Sequence, residues 1–462
     1  MAIEKTPRNL MNEQDPLVRA HNFSEVALGY TPEQAMAEAK RCLQCKNAPC
    51  RKGCPVSVRI PEMMQAVADG DFDKAGEIVK STNSLPSVCG RVCPQEEQCE
   101  KFCLRSRIDE PVAIGAVERF VGDYLLSKNA KPKATENKGF KAAVVGSGPA
   151  SITCAAELQK NGVQVTMYEA FHKAGGVLTY GIPEFRLPKS LVKSEIDTVL
   201  ALGAKIEFNT VVGKTITIEE LLEENDAVFI GSGAGLPSFM GIPGENNNGV
   251  YSANEYLTRV NLMGAYKADS VTPVQKGKNV AVIGAGNVAM DAARTALRMG
   301  ADKVSIIYRR GKEEMPARKD EIHHAEQEGI NFMLLTNPVE MIGENGWVKG
   351  LKCVKMELGE PDASGRRRPV AIKDSEFIVE TDMVIVALGT TPNPLIKDSC
   401  NALATNPKGT LIVDEGMMTS VENVYAGGDA VTGAATVILA MGAGRKASET
   451  ILKKLGLKDS EE

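Results

Sequence analysis

The 462-residue sequence contains no run of 18 apolar residues, and its first ten residues, Met1 to Leu10, lack the apolar core of a secretory signal. A membrane-spanning helix is therefore not predicted, and the chain is expected to be soluble in the reducing cytoplasm. A net charge of −5 gives no general basic footprint for nucleic acid or for a membrane surface. The expected partners are small molecules and other proteins.

Histidine is scarce as well. The chain has four histidines, and none of them falls within the cysteine-rich stretch described next. His323 and His324 are neighbours in the charged stretch 312–328, and such a pattern is typical of a solvated helix face. No metal site is predicted there.

Cysteine, in contrast, is abundant and clustered. Eight of the eleven cysteines lie between Cys42 and Cys103, and two of these eight precede a proline. Cysteine runs that end in Cys-Pro are typical of bacterial iron–sulfur proteins, and thiolates suit the iron of a cluster. The stretch predicts two 4Fe–4S clusters and hence electron transfer. The eight residues are Cys42, Cys45, Cys50 and Cys54, followed by Cys89, Cys93, Cys99 and Cys103.

Three other interpretations of this stretch compete with clusters. Disulfides would need an oxidising compartment. Zinc usually takes two closely spaced pairs of ligands, whereas only Cys42 and Cys45 form such a pair here. Buried, unligated thiols are the third alternative. If the cysteines bound zinc, the chain would be a colourless, non-catalytic binding module. The visible spectrum of clusters plus flavin would exclude the zinc interpretation.

The residues around the cysteines predict α-helices. Thr31, Pro32 and Glu33 form a helix start, with a capping residue, a proline at the first helical position and an acid in the first turn. Further helices are expected over 61–80, with a break at Gly70, and over 114–126. The polar segment 127–139 reads as a flexible linker. Residues 1–138 are therefore predicted to be a helical domain with cysteine-bearing loops.

After the linker the chain has a dinucleotide-binding fingerprint. A strand over 141–145 runs into Gly146 and Gly148 and then into a helix, and a second strand ends at Glu169. The first glycine makes the turn, the second lets the backbone approach a pyrophosphate, and the acid binds a ribose hydroxyl. Ser151 replaces the third glycine, which predicts slightly looser packing of helix on strand.

A second fingerprint follows at Gly284 and Gly286, again between a strand, 279–283, and a helix. The strand 303–308 that follows ends not in an acid but in Arg309 and Arg310. A guanidinium at this position accommodates the 2′-phosphate of NADP. The alternative is that both arginines are solvent-facing charges, in which case NADH would serve equally well.

Strand-to-glycine segments at 226–235, 381–393 and 424–430 indicate that the first nucleotide-binding domain is split. The predicted fold class is α/β: a helical iron–sulfur domain followed by two Rossmann-like domains, the second inserted in the first. The predicted division is 1–138 for the clusters, 139–265 with 390–462 for the first dinucleotide-binding domain, and 266–389 for the NAD(P)H-binding domain.

The cysteine stretch and both fingerprints, together with the segments 175–189, 308–317 and 425–430, resemble the glutamate synthase small (β) subunit family over essentially the whole chain. Within the family the sequence looks like the short, stand-alone NADPH-dependent forms. The sequence is equally similar to the large subunit of NADH-dependent ferredoxin:NADP oxidoreductase, and the N-terminal half of dihydropyrimidine dehydrogenase belongs to the same group.

The resemblance implies FAD, NADPH and two 4Fe–4S clusters, with interleaved cluster ligands. One set would be Cys42, Cys45, Cys50 and Cys103, and the other Cys54, Cys93, Cys99 and Glu118. Counting cysteines alone would choose Cys89 in place of Glu118. FAD would bind at Gly146, Gly148, Pro149, Ala150, Glu169, Gly176, Leu178, Arg186, Gly428 and Asp429. NADPH would bind at Gly284, Gly286, Asn287, Val288, Arg309 and Arg310.

The implied activity is that of an NADPH-dependent oxidoreductase that passes electrons through flavin and clusters to a partner that makes glutamate. Hydride transfer demands no acid–base side chain, so no catalytic residue is predicted. A large catalytic or small electron-transfer subunit is the expected partner, in an oligomer. The alternative within the group is the large subunit of an electron-bifurcating complex, which would copurify with a small flavin-bearing subunit.

Overall fold

The computed structural model describes residues 5–363 and 365–459. Its N-terminal part is helical, as predicted, and the helices there are short. The break at Gly70 separates two helices, and Thr31 caps the helix before the first cysteine through a mutual bond with Gln34. These helices are α1 Pro16–Arg19, α2 Pro32–Ala39, α3 Pro49–Lys52, α4 Ile60–Ala68, α5 Phe72–Lys80, α6 Pro86–Val92 and α7 Ile114–Ser127.

A five-stranded parallel sheet begins the first nucleotide-binding unit, with strand order β16-β4-β1-β2-β3. Its last strand comes from the C-terminal part of the chain, so this unit is split, as the fold prediction requires. The strands are β1 Lys141–Val145, β2 Gln164–Tyr168, β3 Lys205–Glu207, β4 Ala227–Ile230 and β16 Val424–Ala426. The helices are α8 Pro149–Lys160, α9 Val177–Tyr180, α10 Lys189–Ala201, α11 Ile218–Glu224, α15 Leu395–Ser399, α16 Asp429–Thr432 and α17 Val437–Lys454.

The second unit has its own five-stranded parallel sheet, with strand order β6-β14-β7-β8-β9. The predicted division assigned residues up to 265 to the first unit, but strand 250–252 pairs with 384–386 in the second sheet. Chain order alone could not reveal this pairing. The strands are β6 Val250–Ser252, β7 Asn279–Ile283, β8 Lys303–Ile307, β9 Asn331–Met333 and β14 Met383–Val386. The helices are α12 Ala253–Asn261, α13 Asn287–Arg298 and α14 Lys319–Gln327.

An antiparallel layer covers one face of the second sheet, with Met341, Leu351 and Cys353 packed against strand residues such as Ile283. Two short strands, β5 Leu236–Pro237 and β15 Thr390–Thr391, pair where the chain passes between the two nucleotide-binding units. The antiparallel layer contains β10 Thr336–Glu344, β11 Trp347–Pro361, β12 Arg367–Ala371 and β13 Phe377–Glu380.

The helical part and the first nucleotide-binding unit share one continuous apolar core. Met63 and Cys89 belong to the same buried cluster as Val144 in β1 and Met441 in α17. Close packing of this kind leaves little freedom for the two parts to shift. The cysteine stretch is therefore held directly against the sheet that carries the first fingerprint. No helix among the described residues is long and apolar enough to span a bilayer.

Candidate functional site

The cysteines form two groups. In the first group, Cys42, Cys45, Cys50 and Cys103 line one cavity. Burial, with a smaller contribution from the neighbouring thiols of the same group, raises the pKa of Cys50 to about 12. Four converging thiols with aliphatic neighbours are a donor set that fits an iron–sulfur cluster.

The second group contains Cys54, Cys93 and Cys99, together with Glu118. Burial raises the pKa of Cys54 to about 11, with contributions from Glu118 and Cys89. The pKa of Cys93 is raised by its hydrogen bond with Cys89, then by burial and by nearby charges that include Glu118 and Cys99. For Cys99 the main cause is again burial, and Glu118 contributes. The charge of Glu118 thus acts on all three thiols, whereas Cys89 is a cause of the shifts at Cys54 and Cys93.

Glu118 and Cys89 share one neighbour, Asn83. The amide nitrogen of Asn83 donates to Oε1 of Glu118 at 2.7 Å, and its oxygen lies 3.6 Å from Sγ of Cys89. Burial raises the pKa of Glu118 to about 7, partly offset by the bond from Asn83. Sγ of Cys89 also lies 3.4 Å from Sδ of Met441 in α17. The Cys89 side chain therefore faces α17 of the first nucleotide-binding unit as well as the cysteine group.

In the described part of the chain, no group of three or more histidine, cysteine or carboxylate side chains is arranged to hold a metal ion. A four-iron cluster is larger than one ion, and its thiolates stand farther apart.

The first fingerprint has the geometry that its glycines predict. Gly146 has a φ of +89°, which favours glycine, and a side chain there would lie 2.7 Å from the carbonyl oxygen of Gly231. Gly148 precedes α8, and a Cβ there would meet open space. This open cradle at a helix N-terminus fits a pyrophosphate.

Glu169, at the end of β2, is buried and faces the same turn. Its carboxylate accepts hydrogen bonds from the hydroxyl of Ser147 and, at 2.8 Å, from the backbone N–H of Phe171. The acid is therefore fixed beside the glycine turn, at the position where a ribose would lie.

Ser151 does not loosen the packing of helix on strand. Its hydroxyl is fully buried and lies 3.2 Å from the carbonyl oxygen of Val145 and 3.3 Å from that of Gly231. A Cβ at Gly231 would stand only 2.2 Å from the Ser151 hydroxyl oxygen. The extra atoms of Ser151 are thus accommodated by a glycine that directly follows the neighbouring strand β4.

The segment 175–189 connects the two nucleotide-binding units. Arg186 is buried and pairs with Asp291 of α13 at 2.8 Å and with Glu321 of α14 at 3.0 Å. Lys189 donates to the carbonyl oxygens of Ile182 and Leu187, both at 2.6 Å. Leu178 is fully buried, and Gly176 packs on Gly148, since a Cβ there would lie 2.9 Å from the Gly148 Cα.

The C-terminal part returns to the first fingerprint. Gly428, with a φ of +67°, would place a Cβ 3.0 Å from that of Ala150, and Asp429 accepts a hydrogen bond from Ala435. Burial raises the pKa of Asp429. Pro149 and Ala150, at the start of α8, are buried beneath this turn.

Helix α17 lies between the first fingerprint and the second cysteine group. A Cβ at Gly444 would stand 2.1 Å from the carbonyl oxygen of Ala150, and one at Gly442 would stand 3.1 Å from that of Pro55. Pro55 directly follows Cys54. Two glycines on α17 thus allow the backbone at Ala150 to approach one side of the helix and the backbone at Pro55 to approach the other.

The second fingerprint repeats the geometry of the first. Gly284 has a φ of +127°, and Gly286 precedes α13. The side-chain oxygen of Asn287 accepts a hydrogen bond from the backbone N–H of Arg318 at 3.0 Å, and Val288 is exposed.

The two predicted 2′-phosphate residues lie in different environments. Arg309 is exposed, and its side chain has no hydrogen bond or ion pair among the described residues. Arg310 is buried and pairs with Asp362 at 2.6 Å. The structure thus brings only Arg309 to the surface with a free guanidinium.

Sequence reasoning missed Arg318. Its guanidinium donates to the carbonyl oxygen of Arg91 at 2.8 Å and to the side chain of Gln95 at 3.0 Å, on either side of Cys93. It therefore joins the second fingerprint to the cysteine stretch. No local pattern marks this role, because these two partners lie more than 200 positions away.

The comparisons with known proteins agree with this geometry. Residues 19–130 match the family described as dihydropyrimidine dehydrogenase domain II, 4Fe-4S cluster, and residues 140–444 match pyridine nucleotide-disulphide oxidoreductase. FprA of Mycobacterium tuberculosis, solved with NADPH, has the same fold over 69% of this chain and 84% of its own, with a TM-score of 0.58 at 22% identity.

Relatives are similar over greater lengths. The glutamate synthase [NADPH] small chain of Halomonas elongata is 38% identical over 96% of this chain and 97% of its own. The protein of the same name from Escherichia coli is 36% identical, covering 95% of each chain. The NADP(+)-dependent formate dehydrogenase subunit beta of Moorella thermoacetica is 39% identical over 88% of this chain. The match covers 59% of the length of that relative.

Fold and site together define an NADPH-dependent flavin and iron–sulfur oxidoreductase. The chain belongs to the glutamate synthase small-chain family. Its cofactors are FAD, NADPH and 4Fe–4S clusters, as predicted. The predicted fold class is confirmed as well.

Proposed function

We propose that this chain is the electron-input subunit of a larger enzyme, which oxidises NADPH and delivers single electrons to a partner protein. The observation that carries the proposal is the packing of α17, where Gly442 and Gly444 bring the Cys54–Pro55 segment and the FAD fingerprint to opposite sides of one helix. When bound, FAD accepts a hydride from NADPH and the clusters carry its electrons singly.

The first nucleotide-binding unit would hold FAD. Gly146 and Gly148 would admit the pyrophosphate to the N-terminus of α8, and Glu169 would accept a ribose hydroxyl. Gly176 and Leu178 would lie beside the flavin ring, with Gly428 and Asp429 over the pyrophosphate side. Lys189, by bonding two carbonyl oxygens of its own loop, orients that loop.

The second unit would hold NADPH. Gly284, Gly286, Asn287 and Val288 would surround the pyrophosphate, and the free guanidinium of Arg309 would bind the 2′-phosphate. Arg310 and Arg186, which the resemblance assigned to the two nucleotides, have carboxylate partners in the protein. We therefore propose that both act by orienting the segments that surround the nucleotides.

We propose two clusters with the interleaved ligand sets. Cys42, Cys45, Cys50 and Cys103 would hold one cluster, and the shared cavity supports this set. Cys54, Cys93, Cys99 and Glu118 would hold the other. Glu118 is preferred to Cys89 because the resemblance implies it and because its buried carboxylate lies beside Cys89, with Asn83 as their shared neighbour.

The partner would dock near the first cysteine group. Phe102, beside Cys103, is 48% exposed and packs against Gly53, next to the exposed cations Arg51 and Lys52. This apolar and basic surface suits an acidic electron acceptor. Several relatives are named as subunits, which supports a partner, and cluster thiolates support a cytoplasmic location. Glutamate formation would take place in the partner subunit.

The sheet pairing favours a revised domain division. Residues from about 249 to 389 would form the NADPH-binding unit, because strand 250–252 pairs within its sheet. Residues 139 to about 248 and 390–459 would form the FAD-binding unit. Residues 5–138 would form the cluster-binding unit.

The test is a cofactor analysis of the anaerobically purified chain, followed by titration with NADPH or NADH while the visible spectrum is recorded. About eight irons and one FAD per chain, with bleaching at lower NADPH than NADH, would support the proposal. Zinc without flavin would overturn it. Copurification with a small flavin-bearing subunit would identify the bifurcating type of complex.

A further inference from the structure

The hairpin of β11 and β12 reaches the turn that follows β8, where the ribose end of NADPH would lie. Its strands pair antiparallel as far as Pro361 and Arg367, near the hairpin tip. Two residues of the hairpin tip, Asp362 and Arg367, contact the turn 309–314.

The first contact is made through Arg310. Its Nη2 pairs with a carboxylate oxygen of Asp362 at 2.6 Å, and its Nε donates to the carbonyl oxygen of Arg367 at 2.9 Å. Both partners lie on the hairpin. Arg310 itself is buried, with 7% of its surface exposed, so its guanidinium is enclosed by these groups.

The second contact is made through Glu314, at the other end of the turn. One carboxylate oxygen accepts the backbone N–H of Gly311 at 3.1 Å, and the other accepts Nε of Arg367 at 2.6 Å. Glu314 is buried, with 6% exposed. The buried carboxylate of Glu314 is thus paired with a half-exposed arginine of the hairpin, so the hairpin contributes to holding this turn.

The same turn continues to the glycine loop of the second fingerprint. Pro316 is the nearest group to Gly286, with its Cγ 3.9 Å from where a Cβ would be, and the backbone of Arg318 bonds the side chain of Asn287. Arg309 begins the turn and is exposed. One segment thus extends from the free arginine to the pyrophosphate position.

We propose that the hairpin tip determines dinucleotide specificity, because Arg367 and Asp362 hold the turn 309–314 so that Arg309 faces the 2′-phosphate of NADPH. Arg367 and Asp362 are positioning residues in this scheme. The inference rests on the proposed role of Arg309 in binding that phosphate. Since NADH lacks the phosphate, loosening the turn should penalise NADPH and leave NADH unaffected.

The experiment compares Arg367→Gln with Arg368→Gln in the holoenzyme. Arg368 is the adjacent residue on β12, is exposed and has no side-chain partner among the described residues, so its substitution removes the same charge without touching the turn. Reduction of ferricyanide is followed with NADPH and with NADH, and 2′,5′-ADP is used as a competitive inhibitor.

Arg367→Gln is expected to raise KM for NADPH and Ki for 2′,5′-ADP about tenfold, the usual effect of one lost charged hydrogen bond. The kcat with NADPH and the kcat/KM with NADH should stay within about twofold of the unsubstituted enzyme. Arg368→Gln should change none of these values by more than about twofold. Arg367→Lys, which keeps a cation near Glu314, should recover part of the loss.

Equal losses with both nucleotides, or no change with either, would overturn the proposal. So would an effect of Arg368→Gln as large as that of Arg367→Gln, because bulk charge would then be the cause. If Arg367→Gln does not retain FAD, Glu314→Gln decides instead, because it loosens the same turn without leaving an unpaired buried charge. An unsubstituted enzyme that does not prefer NADPH would refute the proposed function itself.

Discussion

Glu328 holds three arginines together at the junction of the N-terminal segment with the second nucleotide-binding unit. Its carboxylate accepts from Arg294 at 2.8 Å, from Arg298 at 2.6 Å and from Arg19 at 3.1 Å. The Glu328 side chain is fully buried. Arg294 and Arg298 also lie over the ring of Phe185, the residue before Arg186. We predict that Glu328→Gln destabilises this junction.

The expected loss in the free energy of unfolding follows from the pKa of Glu328. Burial raises it, but the hydrogen bonds and charges of Arg298 and Arg294 outweigh burial and lower it from 4.5 to about 2. Such a shift corresponds to ~3 kcal/mol at neutral pH. Because the folded pKa is the lower one, this stabilisation is present above pH 4.5 and is lost as the pH falls toward 2. Removing one partner of a buried ionic group typically costs a similar ~3–5 kcal/mol.

The assay is thermal unfolding of the holoenzyme at pH 7, followed by circular dichroism. Glu328→Gln should lower the midpoint by about 3–6 °C. The matched control is Glu326→Gln, two residues earlier, whose carboxylate pairs with Lys312 at the surface and should contribute at most ~1 kcal/mol. Equal midpoints for the two variants would refute the reasoning, because they would show that the three arginines need no buried counter-ion.

Three further predictions concern the cofactor sites. Glu118→Ala should lower the iron content from about eight to about four per chain, whereas Cys89→Ala should retain both clusters; the reverse pattern would reassign the ligand. Gly444→Ala should reduce FAD retention on gel filtration even though alanine favours a helix by ~1 kcal/mol, because its Cβ would stand 2.1 Å from the carbonyl oxygen of Ala150; unchanged retention would contradict this. Burial lowers the pKa of Lys189 from 10.5 to about 8, so between pH 8 and pH 10.5 only the unfolded chain holds this proton. The free energy of unfolding, measured by urea denaturation, should therefore rise by up to ~3 kcal/mol over this range. Lys189→Met should abolish the rise.

The local patterns of the sequence predicted most of the architecture. The break at Gly70, the cap at Thr31 and both strand–glycine–helix units are present, and the second unit is inserted in the first. These features are encoded within a few residues by helix capping, by glycine conformation and by apolar periodicity. The binding residues assigned from the resemblance stay predictions, since cofactor binding is what would test them.

Long-range pairings were beyond the reach of such patterns. The sheet membership of strand 250–252 depends on a pairing more than 130 positions away, and the partner of Arg310 is Asp362, 52 positions away on the hairpin. Ser151 was expected to loosen the packing of helix on strand. That expectation considered only the one strand and the one helix that the fingerprint describes. The compensating glycine, Gly231, directly follows β4, a neighbouring strand that the fingerprint does not include.

The same distinction explains why arginines were the residues hardest to interpret. A fingerprint predicts where a cation should stand, but not whether the protein already supplies its anion. Arg186 and Arg310 have buried or half-buried carboxylate partners, Asp291 and Asp362, whereas Arg309 has none among the described residues. A guanidinium that is already paired offers little net charge to a phosphate. Nucleotide recognition in this chain should therefore follow from the arginine left unpaired, and domain orientation from those that are paired.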